Sequence, residues 1–266
     1  MQASTRDYYL PSIISVRQIG EMFGRSIANK RSQRIFGQIW FDTLGGTGKP
    51  FLRGIGIMIP LIKIGFDLDG VIFDTIPEYI KVCNKLAGTE HKKEELASYD
   101  FSEMPGWNPE ITHAAYNTVA INQDYPLAKF VKTLLFDIKS REDFNPHIYF
   151  ISSRIPMLHW VTYKKLEACV NRPWSLHTGY RHHTKWIAIQ GFGIDYFVED
   201  SLEEAKSITE QTDCLVFLVD KSYNRGDVGP GILRIQDLRD VGFYLGMLQK
   251  ENREFAKFEI FNKKGK

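Results

Sequence analysis

The sequence predicts an α/β fold built on a parallel sheet, and two observations lead there. From residue 61 onward, short apolar runs of strand type alternate with stretches of helical periodicity. Strands that alternate with helices in this way pair in parallel, with helices covering the sheet. Between the first and second runs, residues 76–145 carry helical signals and loop signals only. That stretch therefore reads as a helical insert placed after the first strand.

The elements follow in order. Ile62–Phe66 is a buried strand. Within the insert, amphipathic segments cover Pro77–Leu86, Pro109–Ile121 and Pro126–Ile138, each opened by a proline suited to a helix's first turn. Gly106-Trp107-Asn108 and Asn122-Gln123-Asp124 mark the loops between them. The strand rhythm resumes at His147–Ile151. A helix over Met157–Val170 follows, then a strand over Ser175–Tyr180 and a helix over Thr184–Gln190. Tyr196–Val198 is a strand, Ser201–Gln211 a helix and Leu215–Val219 another strand. Ile232–Ile235 reads as a last edge strand, ahead of a terminal helix over Asp237–Leu248. The domain organisation is a core of 61–75 with 146–250, an insert of 76–145, a basic extension of 1–60 and a basic tail of 251–266.

Composition sets outer bounds. The 266 residues are 43% hydrophobic and 25% charged, an ordinary globular balance. The net charge of +2 is unevenly spread: residues 1–60 hold eight Lys/Arg against three Asp/Glu, so the remainder is mildly acidic. Cys83, Cys169 and Cys214 are odd in number and form no C-x-x-C pair, which fits reduced thiols in a cytoplasmic setting and excludes a zinc knuckle. No apolar run reaches the roughly 18 residues of a membrane helix. The extension is rich in arginine and serine, a composition shared by organellar transit peptides, by basic extensions and by sequence upstream of a true start; Met58 stands just before the first strand. Gly45-Gly46-Thr47-Gly48-Lys49-Pro50 looks like a phosphate loop but lacks its first glycine, and Pro50 stands where Ser or Thr would hold magnesium.

The chemistry gathers at the ends of the predicted strands. Ile64-Gly65-Phe66-Asp67-Leu68-Asp69-Gly70 carries two aspartates, one residue apart, off a strand end into a glycine turn. Strand alternation sends Asp67 and Asp69 the same way, at the end where open α/β sheets bind ligands. Two such carboxylates can share a divalent cation or divide the work of nucleophile and general acid. Gly70 lets the backbone turn sharply there. Ser152 ends the second apolar run, with Ser153 and Arg154 behind it. Its hydroxyl can reach a phosphoryl oxygen or simply cap a turn. Glu199 and Asp200 end the run Tyr196–Val198, ahead of a helix that Ser201 can cap.

The pattern Asp67-x-Asp69-Gly70-Val71-x-x-Asp74-Thr75, followed in order by Ser152, Lys185 and Glu199-Asp200, resembles the four motifs of the haloacid dehalogenase (HAD) superfamily over residues 61–245. The resemblance implies a Rossmann-like core and a C1-type helical cap. It also implies magnesium-dependent hydrolysis of phosphomonoesters through an aspartyl phosphate. On this reading Asp67 is the nucleophile and Asp69 the acid and then the base. Ser152, Ser153 and Lys185 bind the phosphoryl group; Asp67, Asp69 and Asp200 hold Mg2+, supported by Glu199 and Gly70. Lys164 and Lys165, the rivals of Lys185, read as a solvated helix face. Ala97-Ser98-Tyr99-Asp100-Phe101 and Asp220-Lys221-Ser222-Tyr223-Asn224 further resemble the 5′(3′)-deoxyribonucleotidases and related nucleotidases. Lys221-Ser222 departs from that group's Arg-Pro, and Thr75 replaces an aromatic residue. The implied substrate is a small phosphomonoester, a nucleoside monophosphate first, with Arg154, Phe101 and Trp107 as substrate contacts. A sugar phosphate is the alternative, and a non-catalytic binding module of the same fold is the alternative outside enzymes. Neither a membrane nor nucleic acid is expected as a partner.

Overall fold

The computed structural model describes residues 62–140, 144–170, 173–181 and 183–247. The basic extension 1–60, the phosphate-loop look-alike and the tail 251–266 lie outside the described residues. Six parallel strands form one sheet in the order β3-β2-β1-β4-β5-β6. They are β1 (Ile62–Phe66), β2 (Phe144–Ile151), β3 (Trp174–His177), β4 (Tyr196–Glu199), β5 (Leu215–Val219) and β6 (Ile232–Ile235). The helices are α1 (Ile76–Ala87), α2 (Pro109–Asn122), α3 (Val131–Ser140), α4 (His159–Glu167), α5 (Lys185–Phe192) and α6 (Leu202–Gln211). Residues 238–247 are helical as well.

β1 sits in the centre because its sequence suits burial on both faces. Ile64 and Phe66 are fully buried, and a side chain at Gly65 would run into the Phe197 ring 2.8 Å away. Lys63 alone is polar, and its ammonium leaves by the strand's lower end to reach the Phe192 carbonyl at 2.7 Å. In β4 and β5 every residue is buried. Phe197, Val216, Leu218 and Ile232 face one way and pack with Ala188 and Ile189 of α5 and with Ala205 and Ile208 of α6. On the other face Tyr196 stacks on Phe217 and Phe217 on Tyr244, while Phe66 packs against Phe150. Alternate residues of each strand thus bury on opposite sides, as a helix-covered parallel sheet requires.

The chain moves outward from β1 in both directions, through β2 to β3 and through β4 to β6. The order therefore reverses at β1, and the crevice between the ends of β1 and β4 is where such sheets take ligands. The intervening helices place a compact aromatic cluster beside that edge. Tyr79 and Trp107 are buried, and the Tyr79 hydroxyl donates to the Thr112 carbonyl at 3.0 Å. Asn108 caps α2 through the Ile111 N–H, and Gly88 ends α1 in the left-handed region.

Some expected boundaries move. Pro126 does not open a helix. Asp74 N–H donates to the Pro126 carbonyl and Ala128 N–H to the Ile72 carbonyl, so 126–128 pair with the loop after β1. Phe130 then turns at φ +69°, and α3 starts only at Val131. Val131, Leu134 and Ile138 are buried, and α3 lies against β2. The strand expected over Ser175–Tyr180 is shifted to Trp174–His177, and a 3-10 turn at Pro156–Leu158 precedes α4.

Candidate active site

Each group of the site leaves the same edge of the sheet. Asp67 follows β1 directly, its N–H still bonded to the Val198 carbonyl in the manner of the β1–β4 ladder. Ser152 follows β2, its N–H donating to the His177 carbonyl. Glu199 is the last residue of β4, and Asp200 comes next. Lys185 opens α5.

The structure brings four of these side chains together in a buried cluster. The Lys185 ammonium donates to Asp67 Oδ1 at 2.7 Å and to Glu199 Oε2 at 2.8 Å. The other Glu199 oxygen accepts the N–H groups of Asp200 and Ser201, both at 3.1 Å. Asp200 Oδ2 accepts the Tyr223 hydroxyl at 2.5 Å, and its backbone carbonyl accepts the Asn224 amide at 2.7 Å. Asp200 Oδ1 is buried and has no hydrogen-bond partner. Gly70 passes close over this group at φ +79°, and a methyl there would stand 1.9 Å from Asp200 Oδ2. Only glycine fits that approach.

The electrostatics follow from the charges enclosed. Three carboxyl groups surround a single ammonium, so full ionisation would leave two negative charges in excess. Burial pushes the Asp67 carboxyl up to about 7, with Lys185 opposing and the charges of Glu199 and Asp69 adding to it. Burial, then Glu199 and Asp67, hold Asp200 well above the carboxylate range. Burial works against the charge on Lys185, but Asp67 and Glu199 outweigh it and keep the ammonium protonated.

A divalent cation suits this group. Asp67, Glu199 and Asp200 each offer an oxygen, all within 4.8 Å of one another. Glu199 has both oxygens committed, so Asp67 and Asp200 are the acids that could hold a cation, and Asp200 Oδ1 is a buried oxygen without a hydrogen-bond partner. An all-oxygen donor set of carboxylates fits Mg2+ better than zinc or copper.

Asp69 departs from its expected place. Its carboxylate lies outside the cation cluster because Arg154 takes both oxygens, through Nε at 2.8 Å and Nη2 at 2.6 Å. Arg154 is in turn fully buried, held by Thr162 at 3.0 Å and lying over the rings of Phe73 and Tyr125. The Arg154 guanidinium is thus bonded to Asp69 and Thr162. Ser152 is buried and its hydroxyl accepts the Arg154 N–H at 3.2 Å, as a turn cap would; Ser153 is half-buried beside it. Trp107 is an interior residue whose indole donates to Thr89 at 2.9 Å. Phe101 lies nearer the site, against Tyr223 and Tyr79. Lys164 is exposed as expected, pairing with Glu167, but Lys165 folds back to the carbonyls of Gln123 and Tyr125.

Several residues hold the site by contacts that the sequence does not show. Glu204 has the capping-box spacing from Ser201, yet its carboxylate turns to the N–H groups of His183 at 2.7 Å and Lys185 at 3.3 Å, fixing the loop that delivers the lysine. Asn224 ties Asp200 to Val219 and accepts from Arg234. Tyr223 and Asn224 stand in the stretch that resembles the nucleotidases, but their bonds to Asp200 do not follow from that pattern.

Fold and side chains together define an open parallel α/β protein with a buried acidic crevice at the switch point of its sheet. No family model matches the chain, and no curated protein matches it. Among solved structures it is similar to a "predicted phosphoglycolate phosphatase" of Haemophilus somnus, at 15% identity, over 70% of this chain and 98% of that one, with a TM-score of 0.48. It is also similar to a haloacid dehalogenase-like family hydrolase of Streptococcus pneumoniae, at 13% identity over 69% and 98%, with a TM-score of 0.46. A third, a haloacid dehalogenase-like hydrolase of Xanthomonas campestris, gives 8%, 73%, 98% and 0.47. Likenesses of this size decide nothing about the chemistry, which rests on the site's own side chains.

Proposed function

We propose that the chain is a HAD-type phosphatase, a magnesium-dependent phosphomonoester hydrolase that works through an aspartyl phosphate. The observation that carries this reading is the buried Asp67–Lys185–Asp200 group, in which a carboxylate at a strand end meets a fixed ammonium and a second acid with a bare oxygen. Asp67 is the nucleophile: its oxygen attacks phosphorus and the ester oxygen leaves. Lys185 offsets charge on Asp67 and on the phosphoryl oxygens, and Ser152 with the following N–H groups binds them. Asp69 protonates the leaving oxygen and later takes a proton from the hydrolytic water. Each Asp69 oxygen accepts one Arg154 N–H and keeps a second lone-pair position for that proton. Mg2+, held by Asp67 and Asp200, would supply charge neutralisation at the phosphoryl oxygens and keep Asp67 ionised.

Nucleoside monophosphates are the substrates this reading favours, on the resemblance of residues 97–101 and 220–224 and on the aromatic wall of Tyr99, Phe101 and Tyr223 at the site's edge. Asp67→Asn is the test of mechanism. The variant should lose hydrolysis of p-nitrophenyl phosphate by at least a thousandfold while keeping its fold; wild-type turnover would end the aspartyl-phosphate reading. A magnesium-supplemented panel of nucleotides and sugar phosphates tests the substrate, and a preference for any non-nucleotide ester would overturn the nucleotidase assignment alone.

A further inference from the structure

Tyr223 stands between two parts of the molecule that otherwise approach the site separately. It is buried. On one side its hydroxyl donates to Asp200 Oδ2 at 2.5 Å, which leaves Oδ1 as the oxygen without a partner. On the other, its ring receives Tyr99 at 5.9 Å and Phe101 at 5.5 Å, both edge-on, from the segment ahead of α2. Phe101 continues to Tyr79 at 5.2 Å, and so into the buried face of α1. The same seam has a polar stitch, with the Ser222 hydroxyl donating to the Lys93 carbonyl at 3.3 Å. Neighbouring Asn224 holds the Asp200 backbone from below.

A carboxylate on a short side chain has two soft torsions, and a ligand oxygen is useful only when both are fixed. The Tyr223 hydrogen bond fixes them. The Tyr223 ring is itself kept in place by the two aromatics of the helical segment. We propose that Tyr223 is a positioning residue that turns the bare oxygen of Asp200 toward the cation, and that the seating of residues 99–101 and the affinity for the cation are thereby linked. Linkage of this kind is reciprocal: what the aromatic contact adds to cation binding, cation binding returns to the aromatic contact. The inference rests on the cation reading given under Proposed function.

The test uses MgCl2 and the full chain, by titration calorimetry without substrate. Tyr223→Phe removes only the hydroxyl and retains the ring, so packing is preserved. Its Mg2+ affinity should fall about tenfold, the scale seen when the partner of a metal ligand is removed. Phe101→Ala touches no carboxylate, yet should weaken Mg2+ two- to fivefold. Hydrogen exchange over residues 98–104 should slow on adding Mg2+ to the wild type and change less in Tyr223→Phe. If Tyr223→Phe lowers the melting temperature but binds Mg2+ like the wild type, the residue is merely structural and the proposal fails. Loss in Tyr223→Phe with no loss in Phe101→Ala removes the link to the helical segment. A wild-type chain that takes up no Mg2+ at all overturns the cation reading itself, a distinct outcome.

Discussion

Proton and cation compete for the same carboxylate at Asp67. Its folded pKa, about 7, stands above the ordinary 3.8, so the folded state holds that proton more tightly than the unfolded chain does. The resulting stability is complete below pH 3.8 and is lost as pH rises through 7. The chain stripped with a chelator should therefore show a contribution to melting temperature that declines between pH 4 and pH 7, and Mg2+ affinity should climb across the upper part of that range. A flat Mg2+ affinity between pH 6 and 8 would contradict this. Gly70→Ala places a methyl against Asp200 at a backbone angle suited to glycine; a stability loss of roughly 1–3 kcal/mol is expected in chemical denaturation, together with loss of Mg2+ binding. At this scale the sequence shows Asp67, Lys185 and Asp200 because each stands at a strand end or helix start. It hides the partners. A buried arginine two residues past Ser152 looks available for substrate, and nothing local says that Asp69, distant in sequence, claims it.

Secondary-structure elements deliver these side chains, and their ends matter more than their middles. Ser201 caps α6 through the Glu204 N–H, and Ser201→Ala should cost about 1 kcal/mol with little change in turnover. Glu204→Ala in the first turn of the same helix should act differently. It frees the loop before α5, and turnover should fall at least tenfold for a modest change in melting temperature, because misplacing Lys185 by a fraction of an ångström suffices. Equal loss of turnover in the two variants would show that α6 matters only as a whole. The strands were readable because a sheet buried on both faces needs continuous apolar runs. Pro126 departs from the helical pattern for a physical reason: a proline that opens a helix and one that supplies a carbonyl to a neighbouring loop look alike locally. Phe130 at positive φ is a conformation that tertiary contacts impose.

For the molecule as a whole, every proposed site residue lies between Asp67 and Asp200, and the positioning residues end at Asn224. A chain begun at Met58 should therefore turn over p-nitrophenyl phosphate within about twofold of the full chain, since a rate of this kind is set by transition-state contacts. A large loss would assign the basic extension a part in catalysis. Among the described residues no helix is long and apolar enough to cross a membrane. The parallel core was legible from the strand–helix rhythm, and the helical insert from the absence of strand signals. The seam at Tyr223 was not, since it joins segments more than a hundred residues apart.

The place of β1 at the centre of the sheet also sets an order of events during synthesis. Ile64 pairs with Ile148 on one side and Tyr196 on the other, so β1 has no partner in this sheet until much later chain has emerged. At ribosomal speeds of about 5–20 residues per second, β4 follows β1 by on the order of ten seconds. Through that interval β2, which emerges earlier, can cover one edge of β1, while the edge that β4 takes stays open. The acidic crevice closes only when β4 arrives, so no partly made chain presents an assembled site.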